Sequence, residues 1–270
     1  MQNRIPAGLA AAAGALTAWG IYENTALLRV QEYRVSIDGF PRSIVLSDLH
    51  KRRFGKGQCR LLRLIGEQQP ACIFITGDLI SRTVRDLTET EKLLSALRRL
   101  APVIAVPGNH EADLPPGVYA DYRRMMQETG ITYLENRTVM LGKLHIAGLS
   151  LPRAYYRGGG RFGFTGRLPF TADTLSGRLG TCKENTVLLA HNPLWFRSYA
   201  EWGAALTLSG HVHGGAVRLP LIGGLLSPER TFFPPYDKGY YTDGRHDMIV
   251  SGGLGKLRLF NPPEILLLHQ

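Results

Sequence analysis

Apolar runs that stop abruptly at metal-binding residue types constrain this chain more than any other feature. The runs are Ser43–Ser47, Ala71–Thr76, Val103–Val106, Thr186–Ala190 and Ala205–Leu208. They lead, in turn, into Asp48-Leu49-His50, Gly77-Asp78, Gly108-Asn109-His110-Glu111, His191-Asn192 and Gly210-His211-Val212-His213-Gly214-Gly215. Runs this short and this continuously apolar read as strands buried on both faces. Between the first three lie helical signals. Leu61, Leu62 and Ile65 form an apolar face that ends by Pro70, and Leu94, Leu97 and Leu100 repeat at helical spacing after a capping box expected at Thr88 and Glu91. The order β-α-β-α-β predicts a parallel, covered sheet, and functional groups in such sheets collect beyond the carboxyl ends of the strands.

The rest of the chain continues the alternation. A helix is expected from about Val118 to Glu128, then strands near 131–134, 138–141 and 144–149, and two closing strands at Met248–Val250 and Glu264–Leu268. Residues 152–172, with Tyr155, Tyr156 and three consecutive glycines, read as a long loop near the pocket.

Taken singly, an aspartate after a strand is a turn residue and a lone histidine is a hydrogen-bonded one. Together they make a different case. D-x-H and H-x-H on extended backbone put both side chains of each pair on one side. Carboxylates, imidazoles and an amide without thiolates suit Mn, Fe or Zn in a reactive site and not a structural zinc site. The donors exceed what one ion takes and suit two ions about 3.5–4 Å apart that share a carboxylate.

Composition narrows the partners. The net charge of +10 favours anions: phosphorylated substrates, nucleic acid or an anionic surface. Lys51, Arg52 and Arg53 directly follow His50 and are placed to attract such a group. Three cysteines, Cys59, Cys72 and Cys182, form no disulfide framework and fit a reducing compartment, with Cys72 in the core. Residues 7–22 carry no charge. This stretch predicts an uncleaved single-pass membrane anchor within residues 1–30, in preference to a cleaved signal, followed by one catalytic domain over 31–270. The arginines after the stretch place the bulk of the chain on the cytoplasmic side by the positive-inside tendency.

The motifs, in this order, resemble the calcineurin-like metallophosphoesterase superfamily from about Ser43 to the C-terminus. Leu208 to Gly215, Arg218-Leu219-Pro220, Ser251 to Gly255, Asn261-Pro262-Pro263-Glu264 and the N-terminal apolar segment look like its membrane-associated bacterial branch. The resemblance implies an α/β fold, a four-layer αββα sandwich of two packed mixed sheets with the metals at the strand ends. It implies two divalent ions, one held by Asp48, His50 and His213, the other by Asn109, His191 and His211, with Asp78 bridging. It implies a phosphoesterase in which a metal-bridging hydroxide attacks a phosphomonoester, phosphodiester or pyrophosphate, with His110 beside the leaving group. A small phosphorylated or lipid-linked substrate follows from the membrane reading. Two departures from the family pattern, Ser81 for an acidic residue and Ala216 for a glutamine, bear on substrate and tuning. The competing readings are a nuclease on the same metals and a non-catalytic scaffold. Against the first stands the absence of a basic-aromatic tract, and against the second the completeness of the donor set.

Overall fold

The computed structural model describes residues 7–156, 168–215, 218–219, 223–225, 233–256 and 258–270. Ala216 and residues 157–167 of the expected pocket loop lie outside them. Along the chain come α1 (Ala7–Thr25), β1 (Arg29–Arg34), β2 (Ser43–Leu46), α2 (Cys59–Glu67), β3 (Cys72–Ile75), α3 (Thr88–Leu100), β4 (Val103–Ala105), α4 (Asn109–Ala112), α5 (Pro116–Glu128) and β5 (Thr132–Tyr133). Then follow β6 (Arg137–Leu141), β7 (Leu144–Leu149), α6 (Ala172–Leu179), β8 (Thr186–Ala190), α7 (Phe196–Trp202), β9 (Leu206–Ser209), β10 (Arg218–Leu219), β11 (Gly223–Gly224), β12 (Gly239–Thr242), β13 (Asp247–Val250) and β14 (Glu264–His269).

Two six-stranded mixed sheets carry the fold, with strand orders β1-β14-β2-β3-β4-β5 and β12-β13-β9-β8-β7-β6. Within them β2, β3, β4 and β5 run parallel, as do β7, β8, β9 and β13. Each strand alternates its faces with period two. In the first sheet Val45, Phe74, Ile104 and Leu266 point at the second sheet, where Ile146, Val187, Leu189 and Leu208 meet them. The residues between, Ile44, Leu46, Ile73 and Ile75, pack outward against Leu61, Ile65, Leu94, Leu97 and Met126 of α2, α3 and α5. On the other side Leu149, Leu188 and Ala190 pack against Leu175 of α6 and Tyr199 and Trp202 of α7. The layers are therefore αββα, as the resemblance implied. Strands buried on both faces explain why these runs carry no polar alternation.

Local details differ from expectation in places. Asp86 takes the role expected of Thr88 at the start of α3: its carboxylate accepts from the backbone N–H (2.9 Å) and hydroxyl (2.6 Å) of Thr88. Cys72 is in the inter-sheet core as expected. Helices α6 and α7 and the strands β1 and β12 carry weak periodicity and were not anticipated.

The expected single-pass membrane anchor is corrected. Among the described residues no helix is long and apolar enough to cross a membrane. The physical reason is in the segment itself: its alanines and glycines contribute little transfer energy, and the charge-free stretch is shorter than the roughly 20 apolar residues a span needs. The end of α1 is also tied to the domain. Glu23 is buried and accepts from Phe260 N–H (2.6 Å), and Arg60 donates to the carbonyls of Thr25 and Ala26.

The inter-sheet layer yields a stability prediction. Phe74 is fully buried between the sheets. Phe74→Ala is expected to lower unfolding free energy by about 3–5 kcal/mol in urea titration. A loss below about 1 kcal/mol would mean that the two sheets do not share a packed core.

Candidate metal centre

Every sequence-selected site residue sits just past a strand end, and the structure gathers them at one edge of the sandwich. Asp48 and His50 follow β2, Asp78 follows β3, Asn109 opens α4 after β4, His191 follows β8, and His211 and His213 follow β9. Asp48, Asp78, Asn109, His191 and His211 are buried, while His50, His110 and His213 are partly open to solvent. The backbone there is bent into the left-handed region at non-glycine residues: φ is 54° at Asp48, 54° at His50, 53° at Asp78, 71° at His211 and 57° at His213. Each such residue costs on the order of 1–3 kcal/mol, and such strain concentrates where function fixes the geometry.

Cross-links between the loops hold this shape. Asp48 N–H donates to Gly77 O (3.1 Å), His50 N–H to Asp78 O (3.2 Å) and Gly210 N–H to His191 O (3.1 Å). The packing leaves no space for a side chain at Gly210, where a Cβ would lie 1.9 Å from Ser47 Oγ, or at Gly108, where it would lie 2.2 Å from Asp78 Oδ1. Close backbone approach is the reason for both glycines.

Each aspartate has one oxygen held by the protein and one turned to the cluster. Asp48 Oδ2 accepts from Ser47 Oγ (2.7 Å) and His211 N–H (3.1 Å), leaving Oδ1 3.3 Å from His213 Nε2 and 3.9 Å from His191 Nε2. Asp78 Oδ1 accepts from His110 N–H (2.7 Å), leaving Oδ2 3.3 Å from His191 Nε2, 3.9 Å from His110 Nε2 and 4.0 Å from His50 Nε2. Donor atoms of Asp48, His50 and His213 lie within 4.8 Å of one another, as do those of Asp78, His191 and His211, and those of His50, Asp78 and His110.

The two histidines nearest Asp78 are oriented by opposite hydrogen bonds at Nδ1. His191 Nδ1 donates to Thr76 O (2.7 Å), so Nε2 is the nitrogen that faces the two carboxylates. His110 Nδ1 instead accepts from Arg82 N–H (3.2 Å), so its Nε2 carries the proton. The first arrangement is that of a ligand with an oriented second nitrogen. The second is that of a neutral hydrogen-bond donor. Burial, with His50 and Arg82 nearby, outweighs Asp78 and lowers His110 to about 4. Burial likewise opposes a charge on His191, yet the carboxylates of Asp78 and Asp48 prevail and lift it to about 9. Both aspartates are held below the usual carboxylate range, the histidines outweighing the cost of burial.

The donor set fits divalent cations. Asn109 Oδ1 is buried and makes no hydrogen bond within the protein, while Asp48 Oδ1 and His191 Nε2 have the ion-pair contacts given above. Buried polar atoms are ordinarily paired, and a cation held by these groups would satisfy them.

Sequence reasoning quoted Glu111 within the third motif but assigned it no role. Its buried carboxylate accepts from Asp78 N–H (2.9 Å), Gly108 N–H (2.8 Å) and Ile80 N–H (3.0 Å), clamping the loops after β3 and β4 together. Burial and the Asp78 charge push it up to about 7, against the two backbone donors Ile80 and Gly108. The late motifs also gain a reason. Asn261 donates to His213 O (2.6 Å) and Gly215 O (3.0 Å), and Glu264 accepts from Gly252 N–H (2.8 Å) and pairs with Lys238. Tyr156 lies against the rings of His191 and His211, at 5.9 and 5.2 Å between centroids. Ser81, where the family pattern has an acid, bonds only locally to Thr83 Oγ1 (3.2 Å). Asp113 supplies a carboxylate nearby, joined to Arg82 (2.6 Å) and Arg153 (3.0 Å).

The αββα sandwich carries at its strand ends a histidine–aspartate cluster that could hold metal ions, and the family match makes the class that of metal-dependent phosphoesterases. Residues 41–215, more than half the chain, match the family described as calcineurin-like phosphoesterase, and the chain belongs to that family. It is similar to the uncharacterised metallophosphoesterase YkuE of Bacillus subtilis, at 29% identity over 93% of this chain and 88% of that one. It is also similar to YkoQ of the same organism (27%; 83% and 81%) and to phosphodiesterase YaeI of Escherichia coli (28%; 84% and 80%). None of these matches supports the narrower membrane-associated branch.

The clamp predicts a defect without loss of any donor. Glu111→Ala leaves three backbone N–H groups buried and unpaired, at about 1–3 kcal/mol each before relaxation. The variant is expected to unfold at lower urea and to bind Mn²⁺ at least tenfold more weakly by calorimetry. Wild-type affinity would show that the loops hold their shape without it.

Proposed function

We propose that this chain hydrolyses a phosphoester with two divalent ions, one at Asp48, His50 and His213 and one at Asn109, His191 and His211, with Asp78 between them. The observation that carries this reading is the gathering of carboxylate and imidazole donor atoms from separate strand ends, those of Asp48, His50 and His213 and those of Asp78, His191 and His211 each lying within 4.8 Å of one another. Bound ions of this kind activate water near neutral pH and neutralise charge on phosphoryl oxygens.

The protein's own groups do the rest. Ser47 and the His211 N–H hold Asp48, and the His110 N–H holds Asp78, so neither carboxylate reorganises as charge develops. His110 presents Nε2–H toward the cluster and is positioned to hydrogen-bond the departing oxygen and stabilise its developing charge. Tyr156 covers the His191 and His211 rings on the other side and limits water there. A phosphodiester is the favoured substrate, supported by the name of the relative YaeI.

The full chain loaded with Mn²⁺ is expected to hydrolyse bis-p-nitrophenyl phosphate faster than p-nitrophenyl phosphate, and to lose both activities to a chelator. A protein that binds no metal would refute the proposal. In His110→Ala, metal content by elemental analysis should match wild type while turnover falls roughly 10²-fold. Loss of metal together with activity would make His110 a ligand and not a donor to the departing oxygen. Asp78→Asn should lower metal content and rate together, and full activity in that variant would exclude a shared pair of ions.

A further inference from the structure

His50 faces two ways. Its ring packs on His110, with 4.4 Å between centroids, and it also lines a cavity of about 390 Å³. One residue of the cavity wall therefore touches the histidine proposed to meet the departing oxygen. Its volume lies in the range of small-molecule sites. The floor includes the buried side chains of Leu49, Leu79 and Leu93, and Lys51, Arg52, Arg53 and Arg85 stand around it against Asp86 and Glu89.

The acids are already engaged. Asp86 accepts from Thr88 N–H and Oγ1, and Glu89 pairs with Lys92 at 2.8 Å. The cations are carried on fixed loops. Gln58 bridges Phe54 N–H and Arg52 O, both at 2.8 Å, and Arg52 donates to Gly255 O (2.6 Å), which locks the loop bearing Lys51 and Arg53. On the facing wall the Arg85 guanidinium donates to Arg82 O (3.0 Å) and Val84 O (2.7 Å), and the same loop supplies the N–H that orients His110. One loop thus serves both His110 and the basic cavity.

We infer that this cavity receives the leaving half of the substrate, and that the leaving half carries its own negative charge, a phosphate or a carboxylate. The inference rests on the phosphoesterase reading above and names the substrate class for it: a phosphoester or pyrophosphate whose alcohol or phosphate product is itself an anion. Hydrolysis breaks the P–O bond to that group and adds one water across it. The hydroxyl of the water ends on phosphorus and its proton goes to the departing oxygen or to solvent, while His110 Nε2–H hydrogen-bonds that oxygen as its charge develops. A leaving group with no charge makes the same chemistry but gains nothing from the exposed cations Lys51 and Arg53.

The test compares reporters that differ only at the leaving side, using the full metal-loaded chain at low salt. Bis(3-carboxy-4-nitrophenyl) phosphate is set against bis(4-nitrophenyl) phosphate, with the corresponding monoesters as a second pair, and inorganic phosphate as a competing probe. The carboxylated reporter is expected to show kcat/KM at least fivefold higher, mainly through KM, and the preference should shrink as ionic strength rises. Lys51→Ala/Arg53→Ala replaces exposed residues and should bring the ratio between reporters to about one, with metal content at the wild-type level. A ratio near one in the wild type, or a preference that survives in the double variant, overturns the inference while the phosphoesterase reading stands. No turnover of any reporter by metal-loaded protein would remove the reading beneath it, and this inference with it.

Discussion

The structure depends on two buried carboxylates. Asp48 and Asp78 lie at the carboxyl ends of adjacent parallel strands, almost entirely removed from water. An ionised group there is costly unless charge or hydrogen bonds compensate it. Part of the compensation is built into the protein: Ser47 and two backbone N–H groups take one oxygen of each. The remaining oxygens look at imidazoles from the second sheet, so the two sheets meet electrostatically at this edge as well as through their shared apolar layer. The left-handed backbone at five of the site residues is a further cost of bringing these groups together, offset by the rigid sandwich beneath.

Hydrogen bonds to the far nitrogens of two histidines divide the centre into distinct sides. Thr76 O fixes His191 with Nε2 inward, and Arg82 N–H fixes His110 with its Nε2 proton inward. Neither partner is a site residue by type. Both are backbone groups, so the orientation of the two rings is set by loop conformation. The aromatic cover of Tyr156 lies toward His191 and His211, while the basic cavity is lined by His50, whose ring packs on His110. A substrate bound across the cluster would meet an apolar wall at one end and cations at the other.

The N-terminal segment shows how composition misleads. A charge-free stretch reads as a span when counted by residues, yet alanine and glycine bury little apolar area each. Glu23 just beyond it docks onto the loop that ends at Phe260, and Arg60 caps the last turn of α1 through the carbonyls of Thr25 and Ala26. Those contacts come from residues distant in sequence, which no local count of charge or hydropathy registers.

Much of the fold and most of the centre were legible because buried parallel strands leave a local signature. Ile73, Phe74 and Ile75 need apolar neighbours on both faces, so the run itself is visible, and the polar residues that end it stand out. The sequence by itself determined the strand-helix alternation, the donor types, and that Asp48, His50, Asp78, Asn109, His191, His211 and His213 sit at strand ends. Only the tertiary structure decided how those ends face one another. It assigned Glu111 to clamp two loops, set the opposite Nδ1 hydrogen bonds of His110 and His191, joined Asp113 to Arg82 and Arg153, and placed Lys51, Arg53 and Arg85 around a cavity lined also by His50. The physical reason is range: strand burial is written in neighbouring residues, whereas hydrogen-bond direction and charge pairing depend on distances between segments that only packing brings together.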